Sequence, residues 1–168
     1  PNDNLSRAMV VQVLYNKEGQ PTITGSHKFP DVKSGDWFNN AVCTLSKAGI
    51  ITGYPDGTFG PNKKITRAEA MTIVNRVLER APEKDHLLDD MIEWPDNMNK
   101  DAWYYAAVQE ATNSHEFYRD SKNEYEVWTE LLPVRDWAAL EREWSQANSS
   151  KNPGEVVDIN VSTPEAGN

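Results

Sequence analysis

A chain of 168 residues and 19.0 kDa has room for one ordinary domain or a short array of repeats, and too little for a typical enzyme with a separate cofactor domain. Its 17 Lys and Arg against 26 Asp and Glu leave a net charge of −9 and a pI near 4.8, a field that repels a polyphosphate backbone, so nucleic acid is not an expected partner. A mean hydropathy of −0.71 is low for a compact globule, yet six Trp, six Tyr and four Phe are too many for a disordered chain, so a folded part and a polar remainder are expected.

The single Cys43 cannot close an intramolecular disulfide, and the fold has to hold by packing. No apolar run approaches the length of a membrane helix, and the first thirty residues lack a cationic leader followed by an apolar stretch. Neither membrane insertion nor a leader is therefore expected, which leaves a cytosolic protein or a stretch inside a longer exported one.

Internal repetition organises the chain. Pro1-Asn2-Asp3-Asn4-Leu5-Ser6-Arg7-Ala8 reads again sixty residues on as Pro61-Asn62-Lys63-Lys64-Ile65-Thr66-Arg67-Ala68, with Val10, Val13 and Leu14 opposite Ala70, Ile73 and Val74. A second echo at sixty-six residues sets Asp36-Trp37-Phe38 and Ala41-Val42 against Ala102-Trp103-Tyr104 and Ala107-Val108, and a two-residue insertion then brings Thr66-Arg67 opposite Val134-Arg135. This gives one partial, one complete and one divergent copy. The expected boundaries are 1–26, 27–82 and 83–147, followed by a polar linker or the start of another domain at 148–168.

Each copy reads as two helices joined by a turn-rich loop. In the complete copy, Ser34-Gly35-Asp36 signals a start, and Trp37, Phe38, Ala41, Val42, Leu45 and Ala48 recur at helical spacing until Gly49. The segment Gly53-Tyr54-Pro55-Asp56-Gly57-Thr58-Phe59-Gly60-Pro61 cannot be helical, and its Asp56-Gly57 pair marks a tight turn with positive φ at Gly57. Thr66 with Glu69 three residues on predicts a capping box, and Ala70, Met71, Ile73, Val74, Val77 and Leu78 continue that helix to about Arg80.

The third copy predicts a helix from about Lys100 to Thr112 that buries Trp103, Tyr104, Ala107, Val108 and Ala111. A short extra helical turn is expected around Trp128, Leu131 and Leu132, and a last helix over Arg135 to Ala147. Beyond Asn148 the chain turns polar, and Val156, Val157, Ile159 and Val161 are the residues that could begin a strand.

These residues carry a resemblance: Phe29-Pro30-Asp31-Val32, Trp37, Ala41-Val42, Gly49-Ile50, the loop from Gly53 to Asn62, and Ile65-Thr66-Arg67-Ala68-Glu69 resemble the S-layer homology domain family. The complete copy matches over its whole length. The first keeps its second helix, with Met9 where the pattern has Glu, and the third lacks a recognisable Thr-Arg-Ala-Glu box. The resemblance implies a mainly α fold, tandem helix-loop-helix repeats packed in a pseudo-threefold bundle with a flexible C-terminal tail. It also implies a location on a bacterial surface, and a function of non-covalent anchoring through a secondary cell-wall polysaccharide, often one carrying pyruvate ketals, bound in grooves between repeats. Self-association within a surface layer is a further expected partnership. The alternative is a structural or protein-interaction module of a surface protein with no glycan binding, to which the Trp-rich third copy at Trp128, Trp137 and Trp144 points.

An acidic glycan calls for a forked cation, a flat aromatic face and directional polar groups. Arg67 and, in the equivalent place, Arg7 stand just inside helix starts, where a guanidinium can pair with a carboxylate in two-pronged fashion and helix N–H groups favour an anion. Arg135 is the third such position. Trp37 and Trp103 combine a packing role with a ring offered to sugar, Tyr54 and Gly53 belong to the loop, and Asp31 and Asp56 divide between turn forming and hydroxyl binding. Alternatively, Arg67 is satisfied by Glu69 or Asp56.

Catalysis is not expected. Acidic residues are too abundant for any pair to signal a glycosidase. His115-Glu116 lacks the spacing of a helical zinc site, and His27 and His86 are isolated. Asp56 to Asn62 lacks the alternating ligands of a calcium loop, and no phosphate loop or nucleophile elbow occurs. No cofactor or metal is expected.

Overall fold

In the computed structural model, residues 4–21, 29–119, 125–152, 155–157 and 159 are described. Pro1 to Asp3, His27 and Val161, singled out above, lie outside them. The elements run in order α1 (Arg7–Lys17), α2 (Asn39–Lys47), α3 (Arg67–Val77), a short 3-10 turn (Lys84–His86), α4 (Tyr105–Thr112), β1 (His115–Arg119), β2 (Glu126–Leu131) and α5 (Trp137–Asn148).

The helix starts follow their capping chemistry. Ser6 Oγ accepts from the Met9 N–H, and Thr66 Oγ1 accepts from the Glu69 N–H while Glu69 Oε2 takes the Thr66 N–H at 2.9 Å, so the predicted capping box forms in full. The first helices of the copies begin later than the spacing predicts. Asp36 accepts the Lys33 N–H and closes a turn, so Trp37 and Phe38 fall before α2 begins. Trp103 and Tyr104 likewise precede α4.

The main core joins the first two copies. Ala8, Val11, Leu14 and Tyr15 of α1 meet Phe38, Ala41, Val42 and Leu45 at α2, with Phe29, Val32, Ile51, Phe59 and Ile73 closing around them. The backbone locks this register: Arg7 N–H donates to the Lys63 carbonyl, Ala8 N–H to Pro61 and Ile65 N–H to Leu5, which draws the segment before α3 along the start of α1. Gly57 has φ +83°, as its turn demands.

Two expectations are corrected. The mainly α, pseudo-threefold bundle gives way to a mixed fold in which short helices pack in pairs, α1 on α2 and α3 on α4, and long loops and a two-stranded antiparallel sheet make up much of the rest. Furthermore, the region around Trp128 to Leu132 is strand β2 with its adjoining segment, not a helical turn. It pairs with β1 so that Phe117 faces Trp128 and Arg119 faces Glu126, with an irregularity between Glu116 and Phe117. Aromatic and β-branched side chains fit a half-buried pleated surface, and here Trp128 is buried against Glu110 of α4. Helix α5 buries no residue among those described, and Trp137 and Trp144 stand exposed on it. Val156 and Val157, offered above as a strand start, are exposed outside any strand.

Candidate functional site

Two concavities gather most of the sequence-selected residues. The first, of about 310 Å³, is lined by Arg7, Thr52, Gly53, Tyr54, Pro55, Glu69, Thr72, Ile73, Arg76 and Trp103. It lies where the start of α1, the Gly-Pro loop, one face of α3 and the turn before α4 converge. The second, of about 860 Å³, lies between α3, the end of α4, the end of β2 and the start of α5, and holds Arg67, Trp94, Arg135 and Trp137.

Arg7 is built into the wall of the first groove. Its Nε donates to the Phe59 carbonyl at 2.9 Å, Nη1 to Glu69 Oε1 at 2.8 Å and Nη2 to the Thr52 carbonyl at 3.0 Å, and the residue is 5% exposed. All three guanidinium nitrogens are thereby engaged. The pair with Glu69 is nearly buried on both sides, so each charge depends on the other for solvation.

Glu69 is the hub of this wall. Burial pushes its carboxyl up, but the Thr66 N–H, the Tyr54 hydroxyl at 3.0 Å and the Arg7 guanidinium together outweigh burial and hold it below the ordinary glutamate value. Tyr54 shifts the other way, raised by burial and by its hydrogen bond to the Glu69 carboxylate. Arg7 and Lys63 both stand over the Tyr54 ring, at 4.6 and 3.9 Å from its centroid, so cations already use that π-face. Trp103, 69% exposed, is the aromatic ring that the first groove leaves open.

Gly53 has a packing reason. A Cβ there would meet Phe29 Cε1 at 2.4 Å and the Thr58 carbonyl at 2.7 Å, so only glycine lets the loop lie this close. Asp31 clamps the same loop by accepting the Phe59 and Gly60 N–H groups at 2.9 and 2.8 Å, which outweigh burial and lower its carboxyl. Asp56 turns inward on its own loop and accepts from the Thr58 hydroxyl and N–H. Trp37, 62% exposed and edge-on to Phe38, lines neither groove.

Arg67 occupies the same repeat position as Arg7 and differs in surroundings. Its Nη1 lies 2.6 and 2.8 Å from the two carboxylate oxygens of Asp96, and its guanidinium stands over Trp94 at 5.4 Å. Both partners are substantially exposed. The alternative that Glu69 or Asp56 satisfies Arg67 is replaced by Asp96, since Glu69 is committed to Arg7. Arg135 lines the second groove with its guanidinium over Trp137 at 5.8 Å.

Sequence reading missed the ionic cluster under the hairpin. Arg80 Nη2 lies 2.5 Å from Glu110 Oε1 and 3.0 Å from His115 Nε2, while its Nε donates to Glu126 at 2.9 Å. A carbonyl only accepts, so His115 Nδ1–H donates to the Asn113 carbonyl at 2.8 Å, while Nε2 faces both Arg80 Nη2 and, at 3.3 Å, Glu110 Oε2. Trp128 adds an indole N–H to Glu110 and stacks on His115 at 3.8 Å between centroids. Glu110, His115 and Glu126 come close enough together to ligate a cation, but the Arg80 guanidinium already fills that position. Arg76 was also missed, lost in the polar face of an amphipathic helix.

A profile of the S-layer homology domain matches residues 28–71. The chain is 37% identical over 140 residues to the cellulosome-anchoring protein of Acetivibrio thermocellus, covering 79% of this chain and 29% of that protein. It is 28% identical over 135 residues to cell surface glycoprotein 1 of the same organism, covering 74% of this chain and 6% of that protein. To S-layer protein EA1 of Bacillus anthracis it is 29% identical over 136 residues, covering 76% of this chain and 14% of that protein. The chain thus spans less than a third of each of these relatives. Residues 28–71 are an S-layer homology domain, and the relatives the chain resembles are named for the cell surface, the S-layer and cellulosome anchoring.

Proposed function

We propose that the chain anchors a surface protein non-covalently by binding an anionic secondary cell-wall polymer, of the kind that can carry pyruvate ketals, in the grooves between its copies. The observation that carries this reading is the first groove, where an exposed indole, Trp103, shares one concavity with guanidinium groups, loop backbone at Gly53 and the Thr72 hydroxyl. Its volume is at the lower end of the usual range for small-ligand sites, suited to a sugar unit or two. Sugar C–H groups would lie on Trp103 and hydroxyls would meet Thr72 and backbone. In the second groove Arg67 and Arg135, each over an indole, offer a similar combination. The reading contains no catalytic step.

Sedimentation with purified sacculi tests it. The wild-type chain should be retained, Trp103→Ala should be retained less, and sacculi stripped of their secondary polymer should retain neither. Failure of the wild-type chain to sediment with intact sacculi rejects the reading.

The exposed indoles of α5 favour a second reading, association between copies of the chain without glycan. Light scattering behind size-exclusion chromatography separates the two: a mass that rises with concentration and falls to that of the monomer in Trp137→Lys supports association, and a constant monomer mass rejects it.

A further inference from the structure

Resting on the anchoring reading, we infer that Arg76, and not the Arg of the repeated Ser/Thr-Arg motif, is the residue that takes the ligand's carboxylate in the first groove. The Nε, Nη1 and Nη2 of Arg7 all have protein partners, and its charge is matched by Glu69, so the Arg7–Glu69 pair adds no net charge to the wall. A carboxylate drawn to Arg7 would have to displace Glu69, a partner that Thr66 and Tyr54 also hold in place.

Arg76 stands on the same face of α3, seven residues beyond Glu69. Glu69, Thr72, Ile73 and Arg76 follow the i, i+3, i+4, i+7 spacing of one helix side, and all four line the groove. The one hydrogen bond it makes among the described residues is a long one, Nη1 to the Ile50 carbonyl at 3.3 Å. No carboxylate of the described residues lies within ion-pair distance of it, whereas Arg7, Arg67, Arg80 and Arg119 each have one. With Arg7 and Glu69 cancelling, Arg76 leaves the groove with a local charge of +1 on a chain of −9. A forked cation with free donors, an open indole and a neutral hydrogen-bonding end make a site that orients an acidic sugar: ring on Trp103, hydroxyls toward Thr72 and Gly53, carboxylate on Arg76.

The repeat makes the assignment specific to this groove. At the offset that aligns Arg7 with Arg67, Arg76 falls opposite Asn16, and at the offset that aligns Arg67 with Arg135 it falls opposite Trp144. Neither counterpart can supply the charge.

The test uses the anionic wall polysaccharide released from sacculi of the producing bacterium, untreated and with its carboxylates methyl-esterified, and follows the Trp103 indole N–H signal by NMR, a readout confined to the first groove. The wild-type chain should bind untreated polymer, Arg76→Gln should bind it about 10- to 100-fold more weakly, and Arg76→Lys should recover part of the loss. Esterified polymer should bind wild type and Arg76→Gln alike. Equal affinity of wild type and Arg76→Gln for untreated polymer overturns the assignment, as does a loss of the same size on esterified polymer. If untreated polymer leaves the wild-type Trp103 signal and sedimentation both unchanged, the anchoring reading fails and the assignment fails with it. Unchanged melting of Arg76→Gln verifies that the fold is intact.

Discussion

Arg7 and Arg67 are the same letter in the same motif, sixty residues apart, and the structure puts them to different uses. Arg7 is sealed between Phe59, Thr52 and Glu69, while Arg67 reaches across an open surface to Asp96. The difference comes from what precedes each in space. The start of α1 is overlaid by the Gly-Pro loop of the complete copy, which supplies carbonyls and a lid. The divergent copy replaces that loop with a hairpin, whose own charges converge on Arg80. A repeated motif thus fixes where a guanidinium starts, and the neighbouring copy decides whether it becomes scaffold or surface.

Breaking the hairpin side should cost most. Arg80→Met removes the cation shared by Glu110 and Glu126, both nearly inaccessible, leaving Glu110 with the Trp128 indole N–H and Glu126 with Arg119, and should destabilise the chain by about 3–5 kcal/mol in urea unfolding. Arg7→Ala takes the cation from Glu69, which Thr66 and Tyr54 still hold, and removes three hydrogen bonds, with an expected loss at the lower end of about 3–5 kcal/mol, whereas Arg67→Ala, which opens an exposed pair, should lose no more than about 1 kcal/mol. Equal losses at Arg7 and Arg67 would dissolve the contrast between them.

Gly53→Ala sharpens the account of the loop. The added methyl meets Phe29 and the Thr58 carbonyl at distances real contacts do not reach, so a loss of about 1–3 kcal/mol is expected, with weaker sacculus binding because the loop that overlies Arg7 shifts.

Acid should act on the same region with a smaller effect. The folded carboxyls of Glu69 and Asp31 are lowered from ordinary values of 4.5 and 3.8, so their stabilisation is complete above those values and is lost as pH falls through the lower folded ones. Melting temperature should therefore decline below about pH 4.5, and Glu69→Gln, less stable at neutral pH, should decline less steeply. An equally steep decline in that variant would place the acid sensitivity elsewhere.

Much of the complete copy was legible because its signals are local. Thr66 with Glu69 specifies a helix start through bonds spanning three residues, and Asp56-Gly57 specifies a turn through one backbone angle. Part of the candidate site was legible too, since Arg7, Gly53, Tyr54 and Trp103 come together in one groove. Phe117, Val127 and Trp128 carried strand propensity, but with no Gly or Pro from Asn113 to Tyr125 nothing local marked two separate segments that pair with each other. Arg76 left no trace because a surface arginine on an amphipathic helix reads the same whether it faces a groove or bulk water.

By itself the sequence determined the repeat, the family, the caps and the tight turn, all of which depend on residues a few positions apart or on identity of pattern. Only the tertiary structure decided which guanidinium is consumed by the scaffold, which has no carboxylate partner among the described residues, and that the third copy closes with a hairpin over Arg80. Those outcomes are set by charges and carbonyls brought together from distant positions, 30 residues apart in Arg80 with Glu110 and 62 in Arg7 with Glu69, and no local preference encodes them.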